Sequence, residues 1–551
     1  MTPEGPEPRP QLPADGDTVE GLVRSTAVMA VGTALSRITG FLRVAAMAFA
    51  LGVAESRLAD SYNVASNIPN IVYELILGGI LTSIFVPVFV EQLTTRTRED
   101  AWRSAQAVMT VALVVLGAVM VLGVLLAPWI VKLYTLRVPE GQRSAVQDLA
   151  TLFLRFFMPQ IVLYGLGAVA TGLLNAHRRF ALPMFAPILN NLVVIASFVT
   201  FALLPGPSTP TPTSVTGPQT LVLALGTTAG VAAMTFALWP ALRRLGFRLR
   251  WRLDRRDPSV RSLVRLSAWA VLYVVINQIG LLVVLVLAGG TRGGVTAYQA
   301  AFIFFQLPHA IFSVSIMTAL LPSLSEDWVR GDHADFRVDL SRGIRASAFV
   351  VLPAAAGYLV LAEPIVRLLL EHGVAGAAST ELVSGVLTFF ALGLFPFSAF
   401  LLFLRAFYAM QDTRTPALVN VLAVGSNVAA NLVLFPVLGV RGLALGHSIA
   451  YGVAALTAGL ILRHRLGGLE GRRLASGLGR IVGAAAATGA AAWGAARLMF
   501  QTVGADTLGE QMVQVGVGVV VGLIIFVAAA LLFRIEEFDL VRRTVAGRWR
   551  R

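Results

Sequence analysis

Read for its hydrophobic and polar positions, the chain is a succession of apolar runs of roughly 20 residues or more, the length a helix needs to cross about 30 Å of hydrocarbon. Fourteen such runs are predicted, over 25–51, 60–90, 104–131, 147–175, 181–204, 220–242, 262–288, 295–324, 345–370, 382–408, 416–436, 441–462, 477–500 and 511–533. The pattern predicts an all-α polytopic membrane protein of about fourteen transmembrane helices, where 551 residues alone would suggest several soluble domains. Residues 1–24 are Pro-rich and acidic, without the basic start and apolar core of a signal peptide, and read as a disordered cytoplasmic tail.

Charge changes the picture only through its placement. There are 44 basic and 30 acidic residues, giving +14, and Lys132 is the sole lysine. Placed on alternating loops with the N-terminus inside, about 32 basic residues collect on the cytoplasmic side and about 8 outside. The basic clusters are therefore orientation signals and contacts for anionic membrane lipids, with both termini cytoplasmic and no case left for nucleic acid. Lys132 follows Ala127-Pro-Trp-Ile-Val without the glycine turn of a phosphate-binding loop, so nucleotide hydrolysis by that route is excluded. With no cysteine and no His-Glu-x-x-His helix, thiol chemistry and that zinc motif are excluded too.

Two sequence pairs recur six spans apart. Ser83-x-x-x-Pro87-x-x-x-Glu91 matches Thr318-x-x-x-Pro322-x-x-x-Glu326, each after a proline-interrupted start at Ile68-Pro69 and Leu307-Pro308. Ala176 to Pro183 matches Ala409 to Pro416. The expected organisation is an N-terminal lobe over 25–250, a C-terminal lobe over 251–466 related to it by an axis along the membrane normal, two extra helices over 467–535 and a basic tail over 536–551.

Polar groups inside the spans carry the candidate chemistry. Arg37 and Arg43 share the first span, where each charge near mid-bilayer costs on the order of 2.5–3.5 kcal/mol. Gly40 between them is expected to permit a local break that turns both guanidiniums into one cavity, where their rigid forks suit diphosphate oxygens. Snorkelling, or pairing with Asp60 or Glu74, is the alternative. In the second span Asp60, Asn63, Asn67, Asn70 and Glu74 fall on one helical face, as a wet path requires; helix-to-helix bonding is the alternative. Gln299, Gln306, His309 and Ser313 repeat this more weakly in the eighth span. Asn420, Asn427 and Asn431 share a face of the eleventh span and Asn277 lies in the seventh; their oxygens suit either a coupling cation of unidentified kind, with Asn277, Asn427 and Asn431 as its ligands, or structural bonding. Paired carboxylates for catalysis are missing from the outside loops, where Glu55 and Asp60 stand alone, so transport fits better than an enzyme.

Several of these segments resemble a known family. Ser36-Arg37-Ile-Thr-Gly40-Phe-Leu-Arg43, Ala59-Asp60-Ser-Tyr-Asn63, Ile68-Pro69-Asn70, Leu174-Asn175-Ala-His-Arg-Arg179 and Arg405-Ala-Phe-Tyr408-Ala-Met-Gln411-Asp412-Thr-Arg414-Thr-Pro416 are similar to signatures of the MviN/MurJ family of lipid II flippases. That resemblance implies a fourteen-helix member of the multidrug/oligosaccharidyl-lipid/polysaccharide exporter superfamily. It would sit in the bacterial plasma membrane, take undecaprenyl-diphosphate-linked peptidoglycan precursor (lipid II) as substrate, and work beside cell-wall synthesis or division proteins. It implies cavity-facing roles for Arg37, Arg43, Asp60 and Asn70, and a prenyl-tail groove at the last two helices. The family commonly adds arginines where this chain has Tyr73-Glu74 and Ile303, leaving two cavity arginines in place of four. A drug/cation antiporter, another polyprenyl-linked oligosaccharide flippase of the superfamily, and an enzyme acting on polyprenyl phosphates are the competing readings.

Overall fold

The structure, a computed structural model, describes residues 19–74, 98–177, 179–248, 250, 251, 274–539 and 542. The first-lobe member of one repeat pair (Ser83, Pro87, Glu91), residues 1–18 of the acidic tail and most of the basic tail lie outside the described residues, while residues 19–24, expected in that disordered tail, form the first turns of α1. The helices of the first half are α1 (Val19–Leu51), α2 (Leu58–Glu74), α3 (Arg98–Tyr134), α4 (Glu140–Phe157), α5 (Gln160–Ala176), α6 (Ala181–Leu203), α7 (Gly217–Ala237) and α8 (Trp239–Arg244). Then come α9 (Val274–Ala288), α10 (Gly294–Pro308), a π-turn (His309–Ser313), α11 (Val314–Arg330), α12 (His333–Leu370), α13 (Ala377–Ala391), α14 (Leu394–Ala409), α15 (Arg414–Leu438), α16 (Val440–Arg465), α17 (Gly471–Thr502) and α18 (Leu508–Leu532). No strand occurs among the described residues, which makes the chain an all-helical, multi-pass membrane protein.

Among the described residues ten helical stretches are long and apolar enough to span a bilayer, α4 with α5, α7 with α8 and α10 with α11 each making one, and the pair α13–α14, bent by 49°, makes an eleventh. Of the other predicted spans, 60–90 and 262–288 run partly outside the described residues. The run 477–500 falls on α17, which is 32 residues long but rich in Ala, Gly and Arg. The number fourteen therefore stays an expectation from sequence.

Local chemistry sets the ends. A capping box of Thr216 and Gln219, with Pro218 in the first turn, starts α7; Thr507 and Glu510 do the same for α18. Asp332 accepts from the amides of Ala334 and Asp335 to start α12, and Gly331 at φ 74 closes α11 just before it. The π-turn has its cause in Pro308: having no N–H, it leaves the Phe304 carbonyl without its helical donor, and the Tyr358 hydroxyl of α12 donates to that oxygen at 2.9 Å.

Packing repeats across the chain. In the first half α6 pairs with α7, and in the second α15 pairs with α16, the elements six spans later. α1 lies along α6, with Gly32 against Met184 and Asn191 donating to Thr39 Oγ1 at 3.0 Å. The α17–α18 hairpin packs on α12, where Gly489 meets Ala356, and is closed on itself through small residues, Gly518 and Gly522 of α18 meeting Ala492, Ala496 and Thr488 of α17. Such contacts let backbones approach closely where lipid offers no hydrophobic drive. At the end of this hairpin Arg345, buried on α12, forms ion pairs with Glu536 at 2.8 Å and Glu537 at 3.2 Å, and Arg473 reaches Glu536 at 3.0 Å. These bonds hold the Glu536 carboxyl below its ordinary value.

At Gly522 a Cβ would stand 3.3 Å from Ala492 and 3.5 Å from Thr488, whereas Gly516 has open space around it. Gly522→Leu is therefore expected to destabilise the detergent-solubilised protein by about 1–3 kcal/mol. Gly516→Leu should leave the thermal midpoint unchanged; equal behaviour of the two variants would contradict the small-residue interface.

Candidate functional site

α1 runs unbroken from Val19 to Leu51. The expected break at Gly40 does not occur; that glycine faces Asn191, whose amide donates to Thr39 and to the Ser36 carbonyl, and a Cβ there would stand 3.6 Å from the amide nitrogen, an ordinary contact. Without a break, six residues separate the two arginines by about 9 Å along the axis and about 120° around it. They consequently look to different halves of the protein. The charge of Arg37, which is exposed, acts on His309 of the second half. The charge of half-buried Arg43 acts on Tyr62 and Tyr164 of the first half. Neither has an ion pair among the described residues.

The polar stripe of α2 divides in two. Asp60, 4% exposed, accepts from the amides of Gly293 and Thr296 at 2.8 and 3.0 Å and from the Thr296 hydroxyl at 2.9 Å. Asn63 donates to the same hydroxyl at 3.0 Å. In this conformation both residues join α2 to the start of α10. Further along, Asn67 lies beside Tyr134, exposed Asn70 accepts from the Tyr164 hydroxyl at 3.1 Å, and exposed Glu74 accepts from Gln278 at 3.2 Å. Tyr73 lies tilted by 39° on Tyr164 with ring centroids 4.4 Å apart. Ile303 packs into the main apolar core.

The second half contributes a polar seam around the π-turn. Gln306 is half-buried just before it, His309 shares a hydrogen with Ser398 of α14 at 2.9 Å, and Ser313 meets Ser347 of α12 at 2.9 Å. In α15, Asn431 donates to Asn427 at 2.9 Å, and its own fully buried oxygen has no hydrogen-bond partner. Gly446 opposite leaves that oxygen room, since a Cβ there would come within 2.1 Å. Asn277 sits on α9, which packs on the same helix where Gly280 faces Val424. An orphaned oxygen in a glycine-lined niche fits a cation ligand, though no group of acidic or histidine side chains gathers as a metal site among the described residues.

One set of groups was invisible as a site in the sequence. The loop 52–57 and the start of α2 form a latch between the halves, at the end the charge bias assigns to the outside. Glu55 accepts from the Ser379 hydroxyl at 2.6 Å and the Gly376 amide at 2.8 Å; Ser379 also receives the amides of Val53 and Ala54. Arg57, 5% exposed, donates to Gln142 at 2.6 Å and to the Gly289 and Thr291 carbonyls at 2.9 and 3.4 Å. Arg57 thus meets the carbonyl end of α9 and Asp60 the amide end of α10, each charge against the helix pole of opposite sign. The only sequence signal was an outside arginine in a loop too short to hold it in solvent.

Burial pushes the Glu55 carboxyl up, and the bonds from Ser379, Gly376 and Val53 outweigh it, leaving it below its ordinary value. A carboxyl lowered in the folded state contributes stability that is complete above its unfolded value and lost as pH falls through the folded one. Exterior labelling of Val295→Cys, a position 1% exposed, should therefore be slow and flat between about pH 5 and 8. Adding Arg57→Gln should raise it roughly tenfold or more, since bonds to a charged group contribute about 1.5–3 kcal/mol. No increase would remove the latch.

Comparison with known proteins places this geometry. The family model described as lipid II flippase MurJ matches residues 47–514, a stretch that begins just after Arg43. A probable lipid II flippase MurJ of Rhizobium meliloti (strain 1021) is 32% identical over 437 residues, 79% of each chain. The lipid II flippase MurJ of Burkholderia cenocepacia is 28% identical over 451 residues, 81% of this chain and 84% of its own. Among solved structures, lipid II flippase MurJ in an inward closed conformation aligns with a TM-score of 0.74 at 20% identity, over 94% of this chain and all of that one. An inward-facing multidrug resistance MATE family transporter of the MOP superfamily aligns at 0.59 and 15% identity, over 83% of this chain and 96% of its own. At these identities the structural likenesses speak for the fold alone.

Proposed function

The chain belongs to the MurJ family of lipid II flippases, and on that premise we propose how it carries lipid II across the bacterial plasma membrane: by alternating access between an N-terminal lobe (25–250) and a C-terminal lobe (251–466). The observation that carries the reading is the pair Arg37 and Arg43 on unbroken α1, both without a carboxylate partner among the described residues. A diphosphate drawn between them is held from α1, on the side where His309 of the second lobe lies near Arg37 and Tyr62 and Tyr164 of the first lie near Arg43. Bidentate arginine bonds to phosphate oxygens are the strong, geometrically selective kind.

Asn67, Asn70 and Glu74, with Gln306 across the cavity, give the sugar and peptide headgroup a wet path. Asp60 and Asn63 join that path when the latch opens. Tyr73, half-buried and tilted on buried Tyr164, offers that path an aromatic ring, which suits the apolar face of a sugar. The prenyl tail stays in lipid or in a groove beside α17 and α18. With no nucleotide-binding loop, the drive is the membrane potential or an ion gradient, and Asn277, Asn427 and Asn431 are the side chains that would hold a coupling cation. Both termini face the cytoplasm, anionic lipids meet the basic loops, and the protein acts without covalent chemistry beside cell-wall synthesis or division proteins.

The test is headgroup translocation of lipid II in cells or vesicles. Arg37→Ala and Arg43→Ala should each lower it by at least about tenfold, the effect of losing one charged hydrogen-bonding partner. Wild-type translocation by both variants would end the diphosphate role.

A further inference from the structure

At the end opposite the latch, a cavity of about 430 Å³ lies between the first turns of α12 (Ala334, Arg337, Val338) and the α16–α17 connection (Arg463 and Gly467 to Gly471). The apolar face of α16 ends at Leu462, and Arg463, His464 and Arg465 follow at once, so the cavity sits where the helix leaves hydrocarbon, level with lipid headgroups. Gly467 and Gly468, at φ 68 and 139, make the sharp turn that leaves the space open.

Its lining is chemically mixed. Arg337 is held at the rim by bonds to the carbonyls of His333 at 3.1 Å and Leu466 at 3.3 Å, and it has no carboxylate partner among the described residues. Arg463 approaches from the other element, likewise without an ion pair there. Two guanidiniums converging from separate elements suit a phosphate. Glu470 also lines the cavity; its Oε1 is 3.9 Å from Arg473, and its Oε2 is buried with no hydrogen-bond partner. A plain anion would satisfy the arginines and set a second negative charge beside the Glu470 carboxylate, whose side chain is 25% exposed. A group that joins a phosphate to an ammonium satisfies all three side chains.

We infer that this cavity binds a zwitterionic phosphate–ammonium headgroup of the phosphatidylethanolamine kind, with the phosphate on Arg337 and Arg463 and the ammonium on Glu470. Bound there, the lipid ties the second half of the chain to the α17–α18 hairpin. The inference stands apart from the reading of the transported substrate.

Purified full-length protein in detergent, titrated calorimetrically, tests it. Short-chain phosphatidylethanolamine should bind about tenfold more tightly than short-chain phosphatidylglycerol, the worth of one charged contact. Glu470→Gln should bring that ratio close to one, Glu470→Asp should preserve it, and the double change Arg337→Gln with Arg463→Gln should weaken both lipids by about tenfold or more. Each variant is compared with wild type in thermal midpoint, and the ratio between lipids is the readout, so a general loss of stability cannot imitate the result. Equal binding of the two lipids by wild type, or an unchanged ratio in Glu470→Gln, overturns the assignment. Free phosphoethanolamine binding as tightly as the lipid would support the headgroup chemistry and move its source to a soluble phosphoamine. Inorganic phosphate binding as tightly as either would overturn the part given to Glu470.

Discussion

Two charges three residues apart, set against the facing ends of two successive helices, hold the rest of the architecture in place. Arg57 takes the carbonyls that close α9, and Asp60 takes the amides that open α10. The groups they satisfy are those every helix leaves unpaired at its ends, which a connection of only a few residues near the membrane cannot leave dry. Because both charges come from the start of α2, satisfying them brings the first half against the second at one end. Glu55 adds the turn before α13 to the same junction.

This arrangement explains why some polar groups of the spans are consumed and others are left. Where α2 meets α10, every side-chain oxygen of Asp60 has a donor; about three and four turns further along, Asn70 and Glu74 are exposed and lightly bonded. On α1 the two arginines lie beyond the reach of Glu55 and Asp60, whose acceptors are already used. The chain thus separates structural charge from spare charge by depth. Tyr73 fits this economy of charge, since the ring it places on Tyr164 keeps that wall packed without adding a cation.

Much of the fold was legible because a membrane allows few solutions: apolar runs become helices, and arginine marks one side. The face of Asp60 to Glu74 was legible by its spacing, but its division was not, because the partners of Asp60 lie more than 230 residues away at Gly293 and Thr296. Gly40 misled for a related reason. A glycine in a helix permits either a kink or a close neighbour, and only Asn191, on another helix, decides between them. The π-turn had a signal in Pro308, yet Pro69 carries the same signal and lies within a continuous α2. The difference is Tyr358, a distant hydroxyl that accepts the carbonyl's demand for a donor. Composition and period read the elements; pairings across the sequence had to be seen.

The latch also sets what transport has to accomplish. Opening the outside requires separating Glu55, Arg57 and Asp60 from partners in a poorly hydrated site, and each bond to a charged group is worth about 1.5–3 kcal/mol. A ligand shifts such an equilibrium only by the difference in its affinity for the two states, and a shift from one in a hundred to the reverse takes about 5.5 kcal/mol. A diphosphate gripped from one wall offers no such difference. Arg37 and Arg43 both project from α1 and form one such wall, so the difference has to come from groups of the second half that meet the same headgroup, Gln306 among them, and through these the substrate biases the latch. The remaining asymmetry, needed to reset the empty protein, falls to whatever acts on the charges that the cavity leaves unpaired.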